Sequence, residues 1–172
     1  AGDVNGDSFD DFLITAPSFE PYGRVYLIFG KNSGWQTEVN LSEADVTFLG
    51  EYNGFGDTIA GEGDLNGDGL DDIAINDDEH YIDYWSDLRG CTYIYFGYSG
   101  AWDSQLTATN ASASIIADEG CVQVPFDEET CTVENTSIVG DLDGDGMDDL
   151  GIANYLRYGN LWWWDTGMGL ST

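Results

Sequence analysis

Three acidic loops built on one internal spacing constrain this chain more than any other feature. In the segment Asp64-Leu65-Asn66-Gly67-Asp68-Gly69-Leu70-Asp71-Asp72, positions 1, 3, 5 and 9 carry side-chain oxygen: Asp64, Asn66, Asp68 and Asp72. Position 6 is Gly69, and position 7 offers the backbone carbonyl of Leu70. The frame recurs as Asp3, Asn5, Asp7 and Asp11, with Phe9 at position 7, and as Asp141, Asp143, Asp145 and Asp149, with Met147 at position 7. Each copy runs into a short apolar segment, Phe12-Leu13-Ile14, Ile73-Ala74-Ile75 or Leu150-Gly151-Ile152, which reads as a buried strand. Alternating oxygens on a curled loop converge on one point, and glycine at the bend permits the curl. A hard cation that takes six to eight oxygens at about 2.3–2.6 Å suits such a donor set, so each loop predicts a Ca²⁺ site. Mg²⁺ suits it less, because that ion keeps water and takes few carboxylates. A metal-free turn would account for Asp, Asn and Gly here, but not for the recurrent Asp at position 9. Flanking helices and a Glu at position 12 are missing, which disfavours an EF-hand. Ser8 replaces the bend glycine in the first loop and predicts local strain. Asp10, Asp71 and Asp148, at position 8, are expected to face solvent or cap the turn.

The 172 residues suffice for one domain with a core, and 42% of them are apolar, which excludes a disordered acidic tail. Thirty-three acidic residues face four Lys and Arg, giving a formal charge of −29. That balance argues against nucleic acid and anionic membranes as partners. It also predicts that metal contributes strongly to stability, since the unliganded loops repel themselves. No apolar run is long enough for a transmembrane helix. The start at Ala1-Gly2-Asp3 reads as that of a processed product or fragment.

Self-similarity runs through the rest of the chain. Gly23-Arg24-Val25-Tyr26-Leu27-Ile28-Phe29-Gly30 matches Gly90-Cys91-Thr92-Tyr93-Ile94-Tyr95-Phe96-Gly97, and Gly34-Trp35 matches Ala101-Trp102 at the same offset. Gly159 to Trp164 forms a third, weaker copy without the closing Phe-Gly. The loops are offset differently, which places insertions at Asn76–Arg89 and between Glu119 and Gly140. Each unit reads as four short strands, so the expectation is an all-β chain. The units fall at 1–50, lacking a first strand, at 51–119, complete, and at 120–172, lacking a last strand.

Phe55-Gly56, the Asp64–Asp72 loop, Ile73-Ala74-Ile75 and Tyr93-Ile94-Tyr95-Phe96-Gly97 together resemble an FG-GAP repeat, the blade unit of integrin α-subunit propellers and of many bacterial secreted proteins. Ala16-Pro17 matches the Ala-Pro that often ends the second strand. The resemblance implies β-propeller-like blades of four antiparallel strands, with calcium in the hairpin loop between the first two. About two and a half blades cannot close a ring of four or more. The chain is therefore expected to be a piece of a longer propeller, or to have its blades completed by neighbouring chains, by strand addition or as a filament.

Remaining features carry weaker signals. Cys121 and Cys131 are placed to close a local disulfide across the second insertion, leaving Cys91 buried or paired elsewhere. Asn40, Asn110 and Asn135 open Asn-x-Ser sequons, candidate glycosylation sites on an extracellular surface. Tyr84 and Trp85, in the first insertion, are candidate ligand or partner contacts, which a loop packing on its own scaffold explains equally simply; Trp162 and Trp164, on one face of a strand, are also candidates, but core packing is the better explanation there. His80 has no catalytic or zinc-binding context, and the metal loops use most of the paired carboxylates, so no enzymatic activity is expected. The resulting expectation is an extracellular, calcium-binding structural or adhesive protein that self-associates or binds other surface proteins. The alternatives are a glycan-binding, lectin-like module or a propeller fragment attached to an enzyme.

Overall fold

A computed structural model describes residues 1–51, 54–78, 90–116 and 131–156. Among these, regular structure is all β apart from two single 3-10 turns, at Leu41–Glu43 and Ala108–Asn110.

Three sheets account for the ten strands. The first holds β1 (Phe12–Ala16), β2 (Arg24–Ile28) and β3 (Val46–Leu49), paired antiparallel in that order. The second holds β4 (Phe55–Ala60), β5 (Ile73–Asp77), β6 (Cys91–Tyr95) and β8 (Ala113–Ile116), also antiparallel. The third is the hairpin of β9 (Cys131–Gly140) and β10 (Asp149–Leu156). The strand expected before each metal loop is present as β4 and β9, so the second and third loops sit at hairpin turns. Cys131 begins β9 rather than lying within a loop insertion; the pairing Leu156↔Cys131 extends that hairpin further than the repeat offset implied.

One strand had no counterpart in the sequence reading. The tripeptide β7 (Gln105–Thr107) comes from the second unit but pairs parallel with β3, completing the first sheet in the order β1-β2-β3-β7. Leu106 turns into the core between the first two sheets, and the Tyr95 hydroxyl donates to the Thr107 carbonyl at 3.1 Å. Three residues of Gln-Leu-Thr show too little alternation to announce a strand.

The sheets stack face to face, which explains the burial pattern. Val25, Leu27, Val46 and Phe48 of the first sheet meet Phe55, Ile73, Ile75, Tyr93 and Tyr95 of the second. The opposite face of the second sheet, Ala74 and Ile94, meets Leu150, Ile138 and Ile152 of the third. With both faces covered, β5 and β6 are buried at every residue, whereas an exposed face would show polar alternation. Phe48 stacks edge-on to Tyr95 at 4.7 Å between ring centres. Thr92 and Thr136, both buried, share a hydroxyl hydrogen bond of 3.0 Å across the second interface, which satisfies two polar groups that would otherwise be costly there.

Phe55-Gly56 locks the first interface. Phe55 is fully buried. Gly56 has φ +86°, and a Cβ on it would lie 2.7 Å from Val25 Cγ2 and 2.8 Å from Thr15 Oγ1. The Thr15 hydroxyl donates to the Gly56 carbonyl. Only glycine combines that backbone conformation with so close an approach of two sheets.

Candidate metal centres

The three loops share one hydrogen-bond frame. In the second, Asp64 Oδ1 accepts from the backbone N–H groups of Gly67 (2.7 Å) and Asp68 (3.1 Å), and Asp64 Oδ2 accepts from Gly69 (2.7 Å). Asn66 Oδ1 accepts from Asp68 N–H, and Asp68 Oδ1 from Leu70 N–H. In the first loop Asp3 receives Gly6, Asp7 and Ser8, Asn5 receives Asp7, and Asp7 receives Phe9. In the third, Asp141 receives Gly144, Asp145 and Gly146, Asp143 receives Asp145, and Asp145 receives Met147. The chain thus wraps around its position-1 carboxylate, and side-chain oxygens replace the backbone partners that a tight turn lacks. The bend at position 6 needs positive φ: Gly69 has +87°, Gly146 +93° and Ser8 +70°. Ser8 carries the strain that the sequence predicted, since a residue with a Cβ seldom adopts that region.

Position 9 anchors the loop to the core. Asp72 Oδ2 accepts from Leu65 N–H and Asp72 Oδ1 from Gly97 N–H, both at 2.8 Å. Asp11 is held alike by Val4 (3.0 Å) and Gly30 (2.7 Å), and Asp149 by Leu142 (2.7 Å). Gly30 and Gly97 are the glycines of the Phe-Gly pairs that close the third strands. Their role was not read from sequence, although their fixed place after each strand was the available signal. Asp11 and Asp72 are buried. Burial raises both carboxyls above the ordinary range, that of Asp72 to about 6; the backbone N–H bonds pull the other way, and the neighbouring loop carboxylates push further up. A buried, acidic group among like charges is one that a cation would relieve.

Position 8 departs from expectation. Asp71 and Asp148 neither face solvent nor cap their own turns. Asp71 Oδ2 accepts the backbone N–H of Asp3 at 2.8 Å, and Asp71 N–H donates to the Asp3 carbonyl at 3.3 Å. Asp148 grips Asp64 in the same two ways, both at 2.9 Å. Each therefore clamps position 1 of the preceding loop. Gly2 and Gly63 leave room for the clamping carboxylate, which a Cβ on either would strike. Asp10, the corresponding residue of the first loop, is exposed.

Asp141, Asp143 and Asp149 each bring one carboxylate oxygen within 4.8 Å of the others. The first two loops have Asn5 and Asn66 where the third has Asp143. Oxygen donors only, several of them carboxylates, with a glycine-type bend, form a set that fits a hard cation of the calcium kind.

The other candidate residues fall as follows. Cys91 is a buried free thiol, and burial pushes its pKa up to about 12. Asn40, Asn110 and Asn135 are exposed, and Asn110 Oδ1 also accepts from Thr107 N–H. Tyr84, Trp85, Trp162, Trp164, His80 and Cys121 lie outside the described residues, as does the Cys131 side chain. The structure instead shows an exposed aromatic pair that sequence reasoning missed, Phe12 and Trp35, with ring centres 5.8 Å apart and Lys31 Nζ 4.8 Å from the Trp35 ring. Trp35 and Trp102 make the same turn, donating Nε1–H to Lys31 and Tyr98 carbonyls, but Trp102 packs edge-on to Phe29 of the preceding sheet.

Residues 1–28 match the FG-GAP repeat family. The chain is similar to integrin alpha-4 of Xenopus laevis, at 36% identity over 56% of this chain and 9% of that protein. It is similar to integrin alpha-5 of Xenopus laevis, at 34% over 61% of this chain and 10% of that protein. It is also similar to integrin alpha pat-2 of Caenorhabditis briggsae, at 35% over 44% of this chain and 6% of that protein. The chain thus spans about a tenth or less of the length of these relatives. Among the described residues no helix is long and apolar enough to cross a membrane. Stacked all-β sheets, the loop frame and these likenesses support kinship with FG-GAP repeats of the integrin α-subunit propeller type.

Proposed function

We propose that the chain is a stack of propeller blades with an extracellular, adhesion-type role, in which calcium at the three loops holds the blades in shape. The observation that carries this is the common frame of the loops, in which position 1 gathers three backbone N–H groups and position 9 accepts from the N–H of position 2; in the first two loops position 9, Asp11 and Asp72, is also buried. Asp3, Asn5, Asp7, Asp11 and the Phe9 carbonyl would hold the first ion. Asp64, Asn66, Asp68, Asp72 and the Leu70 carbonyl would hold the second, and Asp141, Asp143, Asp145, Asp149 and the Met147 carbonyl the third. The ion supplies positive charge to carboxylates that otherwise repel one another inside a chain of formal charge −29.

Likeness to integrin α subunits supports an extracellular setting, partners among other surface proteins and the absence of enzymatic activity. Completion by further blades draws support from Asp10 and Trp35, which leave exposed the groups that Asp71 and Trp102 use to hold the preceding unit. A glycan-binding reading draws on the exposed Phe12–Trp35 pair and stands second, because the repeat explains that surface as a docking face. Light-scattering chromatography and thermal melts, in millimolar calcium and then in excess chelator, test the principal reading. A large fall in melting temperature in chelator, restored by calcium, is the expected result; identical melts in both conditions would refute it.

A further inference from the structure

Asp71 and Asp148 lie where two adjacent metal loops meet, and they belong to both. Asp71 stands between Leu70 and Asp72, positions 7 and 9 of the second loop, so whatever fixes those two residues fixes Asp71. Its carboxylate and its N–H close a two-point clamp on Asp3, and Asp3 is the residue around which the first loop wraps, receiving Gly6, Asp7 and Ser8. Asp148 repeats the arrangement between the third loop and Asp64. The close approach at Gly2 and Gly63 leaves the clamp little room to slide.

From this geometry we infer that Asp71 and Asp148 are positioning residues that couple neighbouring calcium sites, so that filling one loop raises the affinity of the loop before it. The inference rests on the calcium reading above. Ordering the second loop places the Asp71 carboxylate; the placed carboxylate holds the Asp3 backbone, and the held backbone presents the Asp3 carboxylate to the first site. Linkage makes the effect reciprocal, with couplings of this kind typically about 5-fold or more in affinity. Asp10 makes no such contact within the described residues and serves as an internal control.

Calorimetric calcium titration of the metal-free full chain, with circular dichroism followed in parallel, tests the coupling. The wild type should titrate with a Hill coefficient above 1. Asp71→Ala should lower that coefficient and weaken binding by about 5-fold or more at one site, and adding Asp148→Ala should bring the coefficient to 1. Asp71→Asn keeps an acceptor oxygen and should recover much of the coupling, while Asp10→Ala should titrate as the wild type does. Steepness that survives the double variant Asp71→Ala, Asp148→Ala arises from folding of the whole chain and overturns the inference, as does equal loss in Asp10→Ala. Three independent, non-cooperative sites in the wild type overturn the coupling alone, whereas absence of any calcium binding overturns the calcium reading and the coupling with it.

Discussion

Gly97 donates its backbone N–H to Asp72 Oδ1 at 2.8 Å, so a residue just past the end of β6 fastens position 9 of a loop twenty-five residues earlier. Gly30 does the same for Asp11. A Cβ on Gly97 would lie 2.6 Å from the Asp71 carbonyl oxygen and 2.7 Å from Leu70 Cβ. Gly97→Ala should therefore push the loop off its anchor, lowering stability by about 1–3 kcal/mol and shifting the calcium midpoint to higher concentration. Thermal melts across a calcium series check it; an unchanged midpoint would refute the anchoring role.

Chelation gives the broadest prediction. A ligand bound only by the folded state stabilises by about 2.7 kcal/mol per site at a hundred times its dissociation constant. Melting temperature should rise steadily with free calcium, and magnesium should restore less of it at equal concentration. Equal rescue by both ions would point to general charge screening.

Asp72 sets the direction of the pH response. Its folded-state pKa is raised to about 6 from an ordinary 3.8, chiefly by burial. The metal-free folded chain therefore binds this proton more tightly than the unfolded chain does. That stabilisation is complete below about pH 4 and is lost as pH rises through about 6. In chelator the melting temperature should fall between pH 4 and pH 7, and Asp72→Asn should flatten the fall. With calcium the ionised form is the ligand, so the trend should reverse. Parallel pH series with and without calcium measure both slopes, and slopes of the same sign would contradict the assignment.

Phe55 and Gly56 should prove unequal in mechanism but alike in consequence. Phe55→Ala removes a fully buried ring from between two sheets and should cost about 3–5 kcal/mol. Gly56→Ala adds a single methyl at φ +86° against Val25 and Thr15 and should cost about 1–3 kcal/mol. Denaturant unfolding in saturating calcium measures each, and a neutral Gly56→Ala would contradict the close approach.

Cys91 should resist alkylation in the folded, calcium-loaded chain, because its thiol is buried and raised to about 12. Peptide mapping after brief iodoacetamide treatment, with and without chelator, reads it directly; rapid labelling in calcium would place Cys91 at an accessible surface.

The loops were legible in sequence because every donor lies within nine residues, and local spacing is what a sequence displays. Strand positions β6 and β8 were legible because they repeat β2 and β3 at a fixed offset, and β4 and β5 because they flank the loop. The clamps of Asp71 and Asp148 were not. They join residues 68 and 84 positions apart, and an aspartate at a turn has an adequate local explanation that conceals the distant one. The strand β7 escaped for the related reason that its partner β3 lies in another repeat. Burial of both faces of the second sheet likewise depends on what stacks against it, and Ile73-Ala74-Ile75 reports only that a strand is apolar.

The parallel pairing of β3 with β7 has a bearing on synthesis. The first sheet takes its outermost strand from Gln105–Thr107, more than fifty residues after β3 ends at Leu49. As the chain leaves the ribosome at about 5–20 residues per second, the β3 edge therefore waits on the order of several seconds for its cover. An open edge is where stray strands add. The growing chain thus passes through an interval in which this sheet is formed but unsealed, and the acidic loops already made keep similar nascent chains apart by charge until the seal arrives.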